Sequence, residues 1–456
     1  MRGFVPTPTK IVDIMVEKLF AGSEDPSQLR VLDPGCGEGE FIAGVVRYCR
    51  ARRTAIPRVV GVELDPARAA TAKARFAGIR EIEIRQRDFL LPSDEKFDRI
   101  VGNPPYVSIL ELDASERERY RKAYLTARGR FDLYLLFFEQ ALRCLDQGGR
   151  LVFITPEKYL YVESARSLRQ LLLLRHVSEL EFVGEATFGE LVTYPLITTV
   201  SDAASGASTR MTRRDGSRAA VRLATAGSWL PTLNGHLPHA GGLVLADVAL
   251  RVSCGVATGA DQVYVTPTKE LADDLRPFAH PTVSGRQIRA GRPLVSADVM
   301  LAPYDGEGRL LQEQQLGALG RYLRQPERRA ILEGRTCAAR KKWFSFHDNF
   351  PLDEVLRPKL LCKDITEEPF FVVDEQGSIV PRHSVYYIVP ADPADLAPLA
   401  EYLNSPVAAD WMRAHCQRAA QGFLRMQSHV LKRLPIPDSV AAALASPRDQ
   451  LEALPA

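Results

Sequence analysis

Between residues 30 and 201, short β-branched runs alternate with stretches of helical periodicity, and this pattern narrows the possible folds more than any other feature of the chain. The runs include Arg58 to Val62, Phe97 to Val101, Leu151 to Ile154 and Leu196 to Val200. Such alternation predicts an α/β fold, a doubly wound and mostly parallel sheet, because each crossover helix must return the chain to the same edge. Phe131 to Leu145 carries apolar side chains on most faces, which predicts a buried helix, with Asp146-Gln147-Gly148-Gly149 as its stop and glycine C-cap.

After Ser201 the composition turns to Ala, Ser, Gly, Thr and Arg up to about Gly242, which predicts the main inter-domain link. The expected division is a first domain over 1–225, a linker over 226–242, and an α+β or mainly β domain over 243–456 where the alternation is lost. A chain of 456 residues, 46 % hydrophobic, can bury more than one core, and a net charge of only +3 excludes a histone-like polycation. The charge is uneven, however. Arg286 to Lys342 holds 12 Lys/Arg against 6 Asp/Glu, which suits a surface meeting a polyanion; a solvated helix face over Arg321 to Arg340 explains it equally well. No apolar run reaches a membrane-spanning length, since Leu171 to Leu174 is followed at once by Arg175. The first residues show no secretory pattern, and the seven cysteines show no ligand or disulfide spacing. We expect a cytoplasmic chain with reduced thiols, no structural metal and no membrane association.

The first strand is followed by Asp33-Pro34-Gly35-Cys36-Gly37-Glu38-Gly39-Glu40, three alternating glycines between strand and helix. Glycine lets such a loop turn tightly while its backbone approaches a ligand. A dinucleotide site would use a similar loop for pyrophosphate, but Asp33, Glu38 and Glu40 would repel one. A cationic ligand without phosphate fits better, and S-adenosylmethionine, with its sulfonium and ammonium, is one. Glu63 ends the next strand as an acceptor for ribose hydroxyls, and Asp88-Phe89 follows the third apolar run, suited to an adenine amino group and its ring. A purely structural turn explains the glycine loop alone; three such features at successive strand ends make that weaker.

Gly102-Asn103-Pro104-Pro105-Tyr106 ends the fourth strand. Two prolines cannot continue a central strand, so the chain leaves the sheet there, at the carboxyl edge where doubly wound folds bind ligands. The Asn103 side-chain oxygen and the Pro104 carbonyl can each accept one hydrogen of a planar NH2, turning its lone pair toward an electrophile. Tyr106 can stack on the ring that bears the amine.

This order of motifs resembles the amino-methyltransferases, and more narrowly the gamma-class, Taq-type N6-adenine DNA methyltransferases of restriction–modification systems. Thr7-Pro8 with the following Ile11-Val12-Asp13 is similar to that family's N-terminal segment, and Phe131-Asp132-Leu133-Tyr134 through Pro156 to its next helix–strand unit. The resemblance implies catalysis by Asn103, Pro104, Tyr106 and Phe188. It implies cofactor binding by Thr7, Asp33, Gly35, Gly37, Glu63, Leu64, Asp88, Phe89 and Pro105. Phe188, in Gly184-Glu185-Ala186-Thr187-Phe188, would cover the second face of a flipped base, with Tyr194 as its rival. Beyond the link, Ser253 to Asp261, Gly285 to Ile288, Arg357 to Leu361, Leu403 to Pro406 and Leu434 to Pro437 look like landmarks of the family's target-recognition domain.

The implied reaction is methyl transfer from S-adenosylmethionine to adenine N6 of double-stranded DNA, by a monomer, with any cognate restriction endonuclease on a separate chain. Ribosomal RNA methylation, protein glutamine-N5 methylation and a catalytically silent DNA binder are the alternatives. A large C-terminal domain disfavours the glutamine enzyme. A cytosine-C5 enzyme is excluded, since no cysteine here follows a proline.

Overall fold

The computed structural model describes residues 5–23, 25–184, 194–201, 207–236, 242–419 and 422–444, and the chain divides into two compact units, 1–235 and 236–456. The first unit is built on one nine-stranded sheet. Its strands are β1 (Arg30–Pro34), β2 (Arg58–Glu63), β3 (Ile82–Gln86), β4 (Phe97–Gly102), β5 (Leu145–Pro156), β6 (His176–Phe182), β7 (Pro195–Ser201), β8 (Thr209–Thr212) and β9 (Arg218–Val221), in the order β3-β2-β1-β4-β5-β7-β6-β8-β9. Strands β3, β2, β1, β4 and β5 pair in parallel, with Leu32 opposite both Val60 and Ile100. The order reverses between β1 and β4, and a reversal of that kind opens a crevice at the carboxyl edge.

Helices cover both faces. On one, α1 (Thr9–Phe20), α2 (Glu40–Arg52) and α3 (Pro66–Phe76) bury Val12, Val16, Ile42, Val45 and Phe76 against the sheet. On the other, α4 (Ala114–Ala123), α5 (Leu133–Cys144) and α6 (Arg166–Leu173) bury Tyr120, Leu136, Phe138 and Leu168. The doubly wound expectation is met, with two corrections. Leu196 to Val200 is antiparallel to its neighbours, because β7 inserts between β5 and β6 and pairs against both. The α5 helix ends at Cys144 with Leu145 already extended, so the glycines lie inside the start of β5, where Gly148 turns at φ +70°, and do not cap the helix.

The stretch expected to link the domains also does more than link. Thr209–Thr212 and Arg218–Val221 extend the sheet as β8 and β9, and Trp229 is buried in the first unit's core with its indole N–H donated to Thr225 O at 2.7 Å.

The second unit is α+β. A four-stranded antiparallel sheet joins Ala249–Cys254, Val385–Pro390, Lys359–Lys363 and Phe371–Asp374, and a second mixed sheet is centred on Ala279–Val283 and Asp298–Leu301. Two apolar clusters fill it, one around Tyr264, Leu301, Phe346 and Tyr387, the other around Leu360, Leu399, Met412 and Leu434. No helix among the described residues is long and apolar enough to cross a membrane.

Candidate active site

The glycine loop makes the backbone do what side chains would obstruct. Gly35, Gly37 and Gly39 take φ of +80°, +55° and +88°, values that strain any residue with a Cβ. Gly39 is also the N-cap of α2, and a Cβ there would overlap the Phe76 ring. Glu63, 5 % exposed at the end of β2, fastens the loop: its carboxylate accepts from Gly37 N at 2.9 Å, Asp65 N at 2.8 Å and Arg68 Nη2 at 3.3 Å. A carboxylate offers roughly four acceptor positions, so a bidentate hold on two ribose hydroxyls needs one of these donors to yield. Arg68, the longest, is the natural one. At the end of β3, Asp88 accepts from Leu90 N at 2.9 Å and from Arg119 Nη2 at 3.2 Å, while Phe89 packs its ring 5.2 Å from that of Phe137.

The four strand ends open onto one cavity of about 720 Å³. Thr7, Gly35, Glu63, Leu64, Asp88, Phe89, Asn103 and Pro105 line it. Asp33, Gly37, Pro104 and Tyr106 are not part of that lining. Phe188 lies outside the described residues. Sequence reasoning missed Val5, Arg68, Glu116, Tyr120 and Phe137, which also line the cavity. Phe137 carried a signal, as part of an all-round apolar helix; the others carried none, since only the fold brings them here.

The cavity is acidic. Glu38, Glu40, Glu63, Asp65, Asp88 and Glu116 line it, against the two cations Arg68 and Arg87. Asp33 is 1 % exposed, and neither of its carboxylate oxygens has a hydrogen-bond partner. Burial, and secondarily the charge of Glu63, push its carboxyl well above the usual range. An uncompensated buried carboxyl is costly unless a cation comes to it. The residues present therefore fit S-adenosylmethionine, with carboxylates for its positive groups and Leu64, 66 % exposed, as an apolar platform beside Phe89 and Pro105 for its ring. Among the described residues no cluster of His, Cys, Asp and Glu could hold a metal ion.

Asn103 follows β4 directly. Its Nδ2 donates to Val5 O and to Thr7 Oγ1, both at 3.0 Å, while its Oδ1 is buried without a partner. A Cβ at Gly102 would lie 3.3 Å from Asp33 Oδ1, so the buried carboxyl packs against the last residue of β4, the one before Asn103. Tyr106 is half-buried, edge-on to Tyr134 with centroids 6.3 Å apart, and its hydroxyl approaches Ile154 O at 3.5 Å. Burial pushes its phenol up. Tyr194, the rival to Phe188, lies under the Arg214 guanidinium at 5.3 Å.

In the second unit the charge pattern resolves. Arg321, Arg324 and Arg329 are paired with Asp274, Glu313 and Glu333, and Arg335 donates to Thr258 O and Trp343 O at 2.7 and 2.6 Å. That stretch is mostly a paired helical surface, and Trp343 packs under Arg329 at 3.7 Å. Arg286, Lys363, Arg382 and His383 line a second cavity, of about 660 Å³, together with Asp261, Asp298 and Asp364, and Arg382 is paired with Asp298 at 3.0 Å.

Two family models match the chain: the Eco57I restriction-modification methylase over residues 61–187 and the TaqI-like C-terminal specificity domain over 307–436. Type II methyltransferase M.PaeR7I of Pseudomonas aeruginosa is 29 % identical over 96 % of this chain and 86 % of its own length, and M.XhoI of Xanthomonas vasicola 26 % over 96 % and 91 %. M.TthHB8I of Thermus thermophilus is 32 % identical over 47 % of this chain and 48 % of its own. Among solved structures, the type IIL restriction-modification enzyme MmeI in complex with DNA superposes on 93 % of this chain and 64 % of its own, with a TM-score of 0.63 and 14 % identity, a likeness of fold. Read with the sheet order, the acidic cavity and the amide at the end of β4, these matches support a Taq-type methyltransferase of restriction–modification systems, a DNA methyltransferase that uses S-adenosylmethionine.

Proposed function

We propose that the chain methylates the N6 amine of adenine in double-stranded DNA, at a target base rotated out of the helix. The observation that carries this reading is the buried, unpartnered Asn103 Oδ1 beside a cavity suited to a cationic cofactor. S-adenosylmethionine, when bound, supplies the methyl group on a sulfonium that leaves as a neutral thioether. Asp33 would meet its positive methionine end, Glu63 its ribose, and Leu64, Asp88 and Phe89 its adenine, with Thr7, the backbone at Gly35 and Gly37, and Pro105 closing the site.

The residues of the chain then orient the acceptor. Asn103 Oδ1 and the Pro104 carbonyl each accept a hydrogen bond from one N6–H, which directs the nitrogen lone pair at the methyl group; catalysis rests on that positioning, and N6 gives up one proton to solvent after the transfer. Rotating the base costs a few kcal/mol. Stacking on Tyr106, with Phe188 or Tyr194 opposite, offsets it by about 1–3 kcal/mol per contact. The enzyme works as a monomer, in the cytoplasm, with any cognate endonuclease on a separate chain, and its second unit reads the sequence.

The test is nucleoside mass spectrometry after incubation of purified protein with S-adenosylmethionine and adenine-unmethylated genomic DNA. The expected product is N6-methyladenine, made by wild type and absent with Asn103→Ala. Methylation of cytosine N4, RNA or a glutamine peptide instead would overturn the assignment.

A further inference from the structure

We propose that Thr7 is a positioning residue for Asn103, its hydroxyl acting with the Val5 carbonyl to hold the amide so that Oδ1, and not Nδ2, meets the target amine. The inference rests on the reading of Asn103 as the acceptor of N6. A primary amide turned by half a revolution has nearly the same shape but exchanged donor and acceptor, so its neighbours alone decide which end faces substrate. Here both neighbours accept from it. Val5 O and Thr7 Oγ1 each lie 3.0 Å from Nδ2. A turned amide would lose the bond to Val5 O and set its oxygen against that carbonyl, would keep Thr7 only by taking the hydroxyl hydrogen that otherwise remains free to donate, and would offer N–H groups to an amine that has only N–H to give.

The acceptors sit on a rigid strap. Pro6 and Pro8 flank Thr7; each fixes its own φ, and Pro8 also restricts Thr7 to extended backbone. Thr7 is 7 % exposed. The strap runs straight into α1, which lies close against α2 at Gly44, where a Cβ would meet Val12 Cγ1 at 2.5 Å. A hydroxyl that accepts from Asn103 keeps its own hydrogen to donate, so a contact from Thr7 to the cofactor and the hold on Asn103 are compatible. Residues 5 to 8 all line the cofactor cavity, so one segment faces the cofactor and aims the catalytic amide.

The experiment compares wild type, Thr7→Val and Thr7→Ser in steady-state transfer of tritiated methyl groups to adenine-unmethylated genomic DNA, with cofactor and DNA varied separately and thermal midpoints recorded. Thr7→Val should lower kcat about tenfold at saturating cofactor, one hydrogen bond of about 1.4 kcal/mol. KM for DNA should stay within twofold, and Thr7→Ser should restore kcat. Full kcat in Thr7→Val, with or without a raised cofactor KM, overturns the positioning role and leaves the hydroxyl a cofactor contact. A loss that Ser does not restore also overturns it. Where Val does not fold, Thr7→Ala carries the same expectation. Wild type that makes no N6-methyladenine refutes the underlying reading of Asn103, and the positioning role falls with it; these results are distinct from an active wild type with an indifferent Thr7.

Discussion

Replacing Asp33 by Asn should stabilise the free protein and weaken its cofactor binding, and the stabilisation should grow with pH. Asp33 is buried with both oxygens unpartnered, and its carboxyl titrates above its ordinary value of 3.8. The folded state thus holds a proton that the unfolded chain has already released. For a carboxyl with a raised folded value, stability is lost as pH climbs from 3.8 toward that value, by about 1.4 kcal/mol per pH unit. Asparagine escapes this loss. Between pH 5 and 7 the stability difference between variant and wild type should widen by about 3 kcal/mol at most, or roughly 6–12 °C in Tm for a unit of this size. Cofactor binding should run the other way. Losing a charge-assisted hydrogen bond of about 1.5–3 kcal/mol weakens binding roughly 10- to 150-fold, and wild type should release protons on binding where the variant does not. Differential scanning calorimetry across pH and titration calorimetry in two buffers read both arms. A Tm difference independent of pH, or unchanged cofactor affinity, would refute the reasoning.

Three further outcomes are expected. Gly39→Ala forces a Cβ into a left-handed N-cap and into Phe76, which should cost roughly 2–5 kcal/mol in urea unfolding from strain and overpacking together. Asp374→Asn leaves Lys359, which lies 2.5 Å from that carboxylate with its side chain fully buried, without a counter-charge; a loss of about 3–5 kcal/mol should appear in the unfolding of the second unit. If the cavity around Arg286, Lys363 and His383 meets DNA phosphates, Arg286→Ala should reduce the slope of log K against log salt by about 0.9, whereas Arg321→Ala, which removes a paired arginine, should leave it unchanged.

What the sequence made legible was whatever has a local cause. The strands β1, β2, β4 and β5 declare themselves by β-branched runs, and the glycines, Glu63 and Asn103 mark the places where strands end. The strands missed, β6, β8 and β9, are half-buried or end in four-residue pieces, held by their neighbours more than by their own composition. Charge counting found an excess of arginine after residue 286 but could not see that Arg321, Arg324 and Arg329 each meet a carboxylate, two of them on other segments. Asn103 was found by its motif. Its partners Val5 and Thr7, 98 and 96 residues away, become its neighbours only when the sheet forms.

Asn404 has a consequence of another kind. Its side-chain oxygen accepts from Phe371 N at 2.9 Å and its Nδ2 donates to Phe371 O at 3.0 Å, on the outermost strand of the four-stranded sheet. One amide thus imitates a neighbouring strand and fills both backbone sites that a passing chain would need to extend the sheet there. Unprotected sheet borders recruit other chains and lead to aggregation. A single asparagine at the end of a helix thus closes that stretch of the sheet's border to pairing.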